Sequence, residues 1–190
     1  MATTREKKAL TLRDFLALPE TEPASEYIDG RVVQKVSPKT KHSVIQSRVC
    51  SRINATLNPV FHALPELRCT FGDRSLVPDI SVFHLDRIPR DPSGEVANDV
   101  FDPPDVVIEI ASPQQDVVTL VEKLAFCVRK GVRLGWLIDP ETKKVMVLRP
   151  EQLPQELPLS GVLENADVLP GFHLAIAEMF GWLKLPEGKP

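Results

Sequence analysis

Two carboxylates and one lysine stand where packing alone would not place them. Asp79 lies in VPDISVF and Glu109 in VVIEIA, both within apolar runs that read as strands. An ionised carboxylate buried in such a run without a partner is costly. Strand alternation puts Asp79 on one face with Val77 and Ser81, and Glu109 on one face with Val107 and Ala111. If the strands are neighbours, the two acids converge. A divalent cation would then relieve both their repulsion and their desolvation. Mg²⁺ suits such a pair because it takes hard oxygen ligands and keeps several waters, and Mn²⁺ is the expected substitute. For either acid alone a structural role is the commoner one. Asp79 could cap a turn or pair with Arg74, and Glu109 could pair with a buried Arg or Lys.

Lys123 is the third candidate. Val117, Leu120, Val121, Leu124, Cys127 and Val128 form the apolar arc of one helix, and Asp116 and Lys123 stack two turns apart on its edge. A lysine on that rim can lay its stem on a sheet and aim its amine into a nearby site. The same spacing also fits a snorkelling surface lysine.

The elements that must position these groups are short, because 18 prolines punctuate the chain. Thr11 to Leu18 reads as a helix capped by Thr11. EYIDGRVVQKV reads as an N-terminal β-hairpin, with its turn at Asp29-Gly30. Thr40 to Leu57 is the next helix, with Val44, Ile45, Val49, Ile53 and Leu57 on one face and Arg48 and Arg52 on another. ELRCTF and SLVPDISVF read as neighbouring strands about a Gly-Asp turn. The segment from Asp86 to Asp105, with four prolines, reads as a loop. Val106 to Ala111, apolar on both faces, is expected as a buried central strand. Val117 to Lys130 is a helix closed by Gly131. GWLID and KKVMVLR are two more strands, Glu151 to Asp167 is an acidic excursion, and VLPGFHLAIAEMFGWL gives a strand and a final helix. The expected fold is α/β (α+β), a mixed central sheet flanked by helices. It forms one domain over residues 1–190 with a core over roughly 10–183.

Composition excludes several classes. The 190 residues are 43% hydrophobic and 26% charged, values of an ordinary soluble globule. No apolar run approaches the length of a membrane span, and MATTREKKALTLRDFLALPE lacks the apolar core of a secretion signal. Cys50, Cys69 and Cys127 are odd in number and far apart, which predicts a reduced, cytoplasmic chain without a disulfide framework. His42, His62, His84 and His173 show no metal-ligand spacing, and no GxxxxGK[ST] or GxGxxG motif supports a nucleotide cofactor. Ser112 and Cys127 have no evident base for a nucleophilic triad. Two Trp and one Tyr are few for a glycosidase cleft, the other use of paired acids. Trp136 and Trp182 lie in apolar segments and read as core. Net charge is -3, yet Gly30 to Pro65 holds no Asp or Glu and six basic residues. That stretch is either a polyanion-facing edge or a solvated face.

The order of these residues resembles the PD-(D/E)XK nuclease superfamily, whose fold is that of type II restriction endonucleases. More narrowly it resembles the Uma family of bacterial restriction endonucleases. The matching segments are SEYIDGRVV, the helix opening at His42, VPDISVF, PPDVVIEIASPQQD, EK, GVRLGWLIDPETKKVMVLRP and VLPGFHL, over roughly Leu10 to Leu183. The resemblance implies a restriction endonuclease-like fold and a metal-dependent nuclease core. Asp79 and Glu109 would bind the cation, and Lys123 would assist the attacking water. The superfamily lysine usually stands two residues after the glutamate, where this chain has Ala111. In the Uma group it lies on the following helix, the place of Lys123. Glu26 matches an acid before the hairpin turn that often joins the metal site, and His42 matches a histidine at the start of the second helix. Cys127 departs from the Tyr common there. The carbonyl of Ile110 is a further expected ligand, and Arg31, Lys35, Lys39, Lys41, His42 and Arg48 are the expected nucleic-acid contacts. The implied activity is Mg²⁺-dependent hydrolysis of DNA, by a homodimer if both strands are cut. The alternative is a catalytically inactive homodimeric nucleic-acid-binding or interaction module. The net negative charge and the missing E-x-K lysine motivate it.

Overall fold

The computed structural model describes residues 10–113 and 115–185. Residues 1–9, which open the segment read for a secretion signal, Gln114 of ASPQQD, and residues 186–190 lie outside the described residues. A short helix α1 (Leu12–Leu16) opens the described chain. Thr11 accepts from the Asp14 N–H, and Asp14 accepts in return from the Thr11 N–H, a reciprocal cap. The hairpin is β1 (Ser25–Ile28) and β2 (Arg31–Gln34), turning through Asp29 and Gly30 at positive φ. Helix α2 (Thr40–Leu57) has the expected bounds. Then come β3 (Phe61–Pro65), β4 (Cys69–Phe71), β5 (Arg74–Leu76), β6 (Ile80–His84) and β7 (Val106–Ile110). Helix α3 (Val117–Arg129) leads to β8 (Leu134–Asp139), β9 (Lys144–Leu148), β10 (Gln155–Leu157), β11 (Val162–Asn165), β12 (Leu169–Ala175) and α4 (Ile176–Gly181).

Two expectations about elements need correction, and one strand, FHALP, has no counterpart among the expected elements. SLVPDISVF does not form one strand. Pro78 has no N–H for a ladder, and the Val77 N–H donates to Glu26 Oε1 instead. The chain therefore leaves one sheet after Leu76 and joins another at Ile80, so Asp79 precedes a strand rather than sitting within one. FHALP forms β3, the outer strand beside β6, where a terminal proline is tolerated. The excursion from Glu151 to Asp167 carries β10 and β11.

The main sheet has the order β10-β9-β8-β7-β6-β3. Only β7 and β8 are parallel in it, joined through α3 as a parallel pair requires. A second sheet has the order β2-β1-β5-β4, and β11 pairs with β12. Because β7 alternates, it divides the core in two. Ile108 and Ile110 face α2, Trp136 and Phe172. Val107 and Ala111 face α3 and the second sheet. Glu109 falls on this second face, under α3. Trp136 is fully buried, as expected of a core residue.

The proline-rich loop returns to β7 through Asp105. Its carboxylate accepts from Arg87 Nη1 and from the His84 N–H. Cys50, Cys69 and Cys127 are free and buried, and burial pushes the Cys127 thiol up to about 12. No described helix is long and apolar enough to cross a membrane.

Ile108 is inaccessible at the centre of the sheet, whereas Val32 on β2 is 45% exposed. Ile108→Ala is expected to cost about 2–5 kcal/mol of unfolding free energy, and Val32→Ala no more than about 0.5 kcal/mol. Urea denaturation of the two variants checks the contrast.

Candidate active site

The acid-bearing segments meet at one end of the main sheet. In the antiparallel ladder Ile80 pairs with Ile108, so Asp79 lies across from Glu109 at the ladder's edge. The Ile110 N–H donates to Asp79 Oδ2 at 2.7 Å and fixes that approach. The Asp79 carbonyl accepts from Gln46 Nε2 at 2.8 Å, which ties the same residue to α2. Asp79 and Glu109 are 4% and 2% exposed, so both acids are desolvated.

Lys123 enters from α3, which packs through Leu120, Leu124 and Cys127 on the face of β7 that carries Glu109. Its Nζ lies 2.6 Å from Glu26 Oε1 and 2.7 Å from Glu109 Oε1. The amine points inward, so the snorkelling alternative is excluded. Glu26 is delivered by β1, and the Val77 N–H bond holds its carboxylate over the chain that leads to Asp79. The hairpin, the two strand ends and α3 therefore share one cluster.

A second group of contacts surrounds Asp79. His42, four residues before Gln46 on α2, places Nε2 3.0 Å from Asp79 Oδ2. Lys35, just after β2, places Nζ 2.9 Å from Asp79 Oδ1 and 2.6 Å from Glu66 Oε2. Gln46 Nε2 also donates to Glu66 Oε1. Asp79 thus pairs with Lys35 and His42, while Arg74 turns away to Asp29. A cleft of about 240 Å³ opens on these groups, lined among others by Glu26, Lys35, His42, Asp79, Glu109 and Lys123.

The electrostatics separate the two strand-end acids. Burial alone would raise Asp79, but the His42 hydrogen bond and the Lys35 charge outweigh it and hold the carboxyl well below the usual carboxylate range. Glu109 moves the other way. Burial, reinforced by the Asp79 and Glu26 carboxylates, exceeds the pull of Lys123 and pushes it up to about 8. Burial opposes the charge on Lys123, yet Glu109, Glu26 and Asp79 together hold its amine above the ordinary lysine value.

The expected nucleic-acid contacts do not gather in one place. Lys35 and His42 are drawn into the cluster. Lys41 pairs with Glu141, Arg48 lies over the Trp182 ring, and Arg31 and Lys39 are exposed. Sequence reasoning missed Gln46 and Glu66. Gln46 was accessible through its i+4 spacing from His42, whereas Glu66 follows a strand that gave no clear pattern.

Among the described residues no three of His, Cys, Asp and Glu form a ready-made metal cage, because the acid oxygens are turned onto ammonium and N–H donors. In chemistry the donors fit: three desolvated carboxylates offer hard oxygens. Glu109 Oε1 is also shut away from solvent, with the Lys123 ammonium 2.7 Å from it.

Proton linkage at Glu109 is measurable. Its folded-state value lies above the ordinary 4.5, so the folded protein holds an extra proton between the two values. The stability it contributes is whole below pH 4.5 and is lost as pH rises toward 8. Asp79 acts in the opposite sense, and its contribution disappears as pH falls below its ordinary 3.8. Relative to Glu109→Gln, the unmodified protein should lose stability between about pH 5 and pH 8. Urea unfolding of both proteins across that range checks the sign.

The family model for Uma2, described as "Putative restriction endonuclease", matches residues 12–177. A crystal structure of a protein from Anabaena variabilis, described as "a putative nuclease", is 46% identical and superposes with a TM-score of 0.88. The match covers 92% of this chain and 99% of that one. No curated protein matches the chain significantly. With the expected segments in the expected order, a family match over most of its length and a close structural relative, the chain belongs to the Uma2 family.

Proposed function

We propose that the protein is a divalent-metal-dependent endonuclease that hydrolyses DNA phosphodiester bonds. The observation that carries this reading is the convergence of Asp79, Glu109 and Glu26 with the Lys123 ammonium at one cleft. The names given to the matching family and to the Anabaena variabilis relative support it.

A Mg²⁺ or Mn²⁺ ion held by Asp79, Glu109 and Glu26, with the Ile110 carbonyl, would neutralise phosphate charge and lower the pKa of a water. The remaining services come from side chains. His42 and the Ile110 N–H fix the Asp79 carboxylate in orientation. Lys123, firmly protonated, donates toward the phosphate oxygens as negative charge develops on them. Glu26 and Glu109 hold its Nζ in place for that task. Basic residues at the hairpin and α2, Arg31 and Lys39 among them, hold the phosphate backbone without reading bases.

One observation favours a second reading. Lys35, His42 and Lys123 already pair with the acids, so the cluster carries its own counter-charges without a metal. A non-catalytic homodimer that binds nucleic acid would need nothing more. Calorimetric titration separates the two, because absence of Mg²⁺ and Mn²⁺ binding at millimolar metal assigns the second.

Supercoiled plasmid should be nicked and linearised with Mg²⁺ or Mn²⁺, and a chelator should stop cleavage. Asp79→Ala and Glu109→Ala should each reduce the rate by at least about 10²-fold, and Lys123→Met by a similar factor. Cleavage that persists in both acid variants would place the activity in another site or another protein.

A further inference from the structure

Lys35 has no part in the reaction as set out above, yet it holds the central acid. Its side chain is 13% exposed and bridges Asp79 Oδ1 and Glu66 Oε2. The other Asp79 oxygen already takes His42 Nε2 and the Ile110 N–H. Each carboxylate oxygen of Asp79 thus already has a partner. Lys35 also stands where the 240 Å³ cleft meets a neighbouring cleft of about 400 Å³, since Lys35, His42 and Asp79 line both.

The backbone at Lys35 is held, and its ammonium is carried on a long unbranched stem. Its N–H donates to the Ala24 carbonyl at 2.9 Å, at the end of the hairpin ladder. The four-carbon stem beyond can place the ammonium in several positions. The two acids it joins differ in setting. Asp79 is interior, while Glu66 is 43% exposed and is oriented by Gln46 Nε2. A dication on Asp79 would repel an ammonium about 3 Å from the same carboxylate with twice the force that a single charge exerts.

We propose that Lys35 is a tethered counter-cation of Asp79, that a divalent cation must displace it to bind, and that Glu66 retains the displaced ammonium at the cleft rim. The inference rests on reading the site as a divalent-cation centre. It explains how a chain with an interior aspartate stays folded before metal arrives. It also makes cation affinity a difference between two occupants of one carboxylate, set partly by Lys35.

Titration calorimetry with Mn²⁺, without nucleic acid, tests it on the full chain. Lys35→Gln is expected to bind Mn²⁺ at least about fivefold more tightly than the unmodified protein. Lys35→Arg keeps the charge and should stay near the unmodified affinity, and Lys144→Gln, at an exposed lysine on β9, should change it by less than about twofold. Equal or weaker binding by Lys35→Gln, while the unmodified protein binds, overturns this proposal and leaves the cation site standing. Absence of binding by every protein overturns both. A second measurement needs no variant. With ¹⁵N-labelled lysine, Mg²⁺ should shift or broaden the Lys35 ammonium resonance by exposing it to water. A Lys35 resonance unmoved at saturating Mg²⁺ overturns the displacement.

Discussion

The ion cluster at the end of β6 and β7 is the constraint on which the architecture turns. Lys123 Nζ touches Glu26 and Glu109 at the buried floor of the cleft, and each contact joins a different part of the chain. Removing any one charge would leave another uncompensated in a low-dielectric interior, which is far more costly than never having buried it. The seating of α3, the angle of the hairpin and the break at Val77-Pro78 are all compatible with that one balance. The Val77 N–H bond to Glu26 makes the link direct, because the atom that receives the lysine also ends β5.

Such a cluster is a poor device for stability alone. Apolar side chains of similar volume would hold the layers together at least as well. The chain has the means to build them, since two cores of buried Ile, Leu, Val and Phe lie on either face of β7. Keeping acids, lysines and a histidine between those cores sets groups of opposed acidity side by side. Asp79 is held ionised and Glu109 is pushed toward its neutral form within one cleft. Environments that drive paired carboxylates apart in this way recur at catalytic sites as well as in structural ion-pair networks.

Much of this was legible before the fold was known. The Asp29-Gly30 turn demanded positive φ and marked the hairpin. The apolar arc on α2 set its bounds, and the β-branched run at Val106–Ile110 marked a strand buried on both faces. Asp79 and Glu109 stood out because each interrupts an apolar run at a cost that burial must answer, whereas Lys123 lies on the rim of the α3 arc, where spacing also fits a surface lysine. Weaker segments failed for local reasons. β3 ends in proline, and β10 is three residues long with two exposed, so neither shows the alternation that identifies a strand.

The sequence by itself determined which side chains could do chemistry and which elements carry them, because periodicity and turn chemistry are local properties of the chain. Only the tertiary structure decided who meets whom. Lys35 reads as one more base in a stretch without acids, and becomes a partner of Asp79 only when the hairpin folds against α2 and β6. Arg48, from the same stretch, is diverted to Trp182 instead. Pairing across long separations depends on strand order and layer packing, and charge at such distances leaves no periodic trace along the chain.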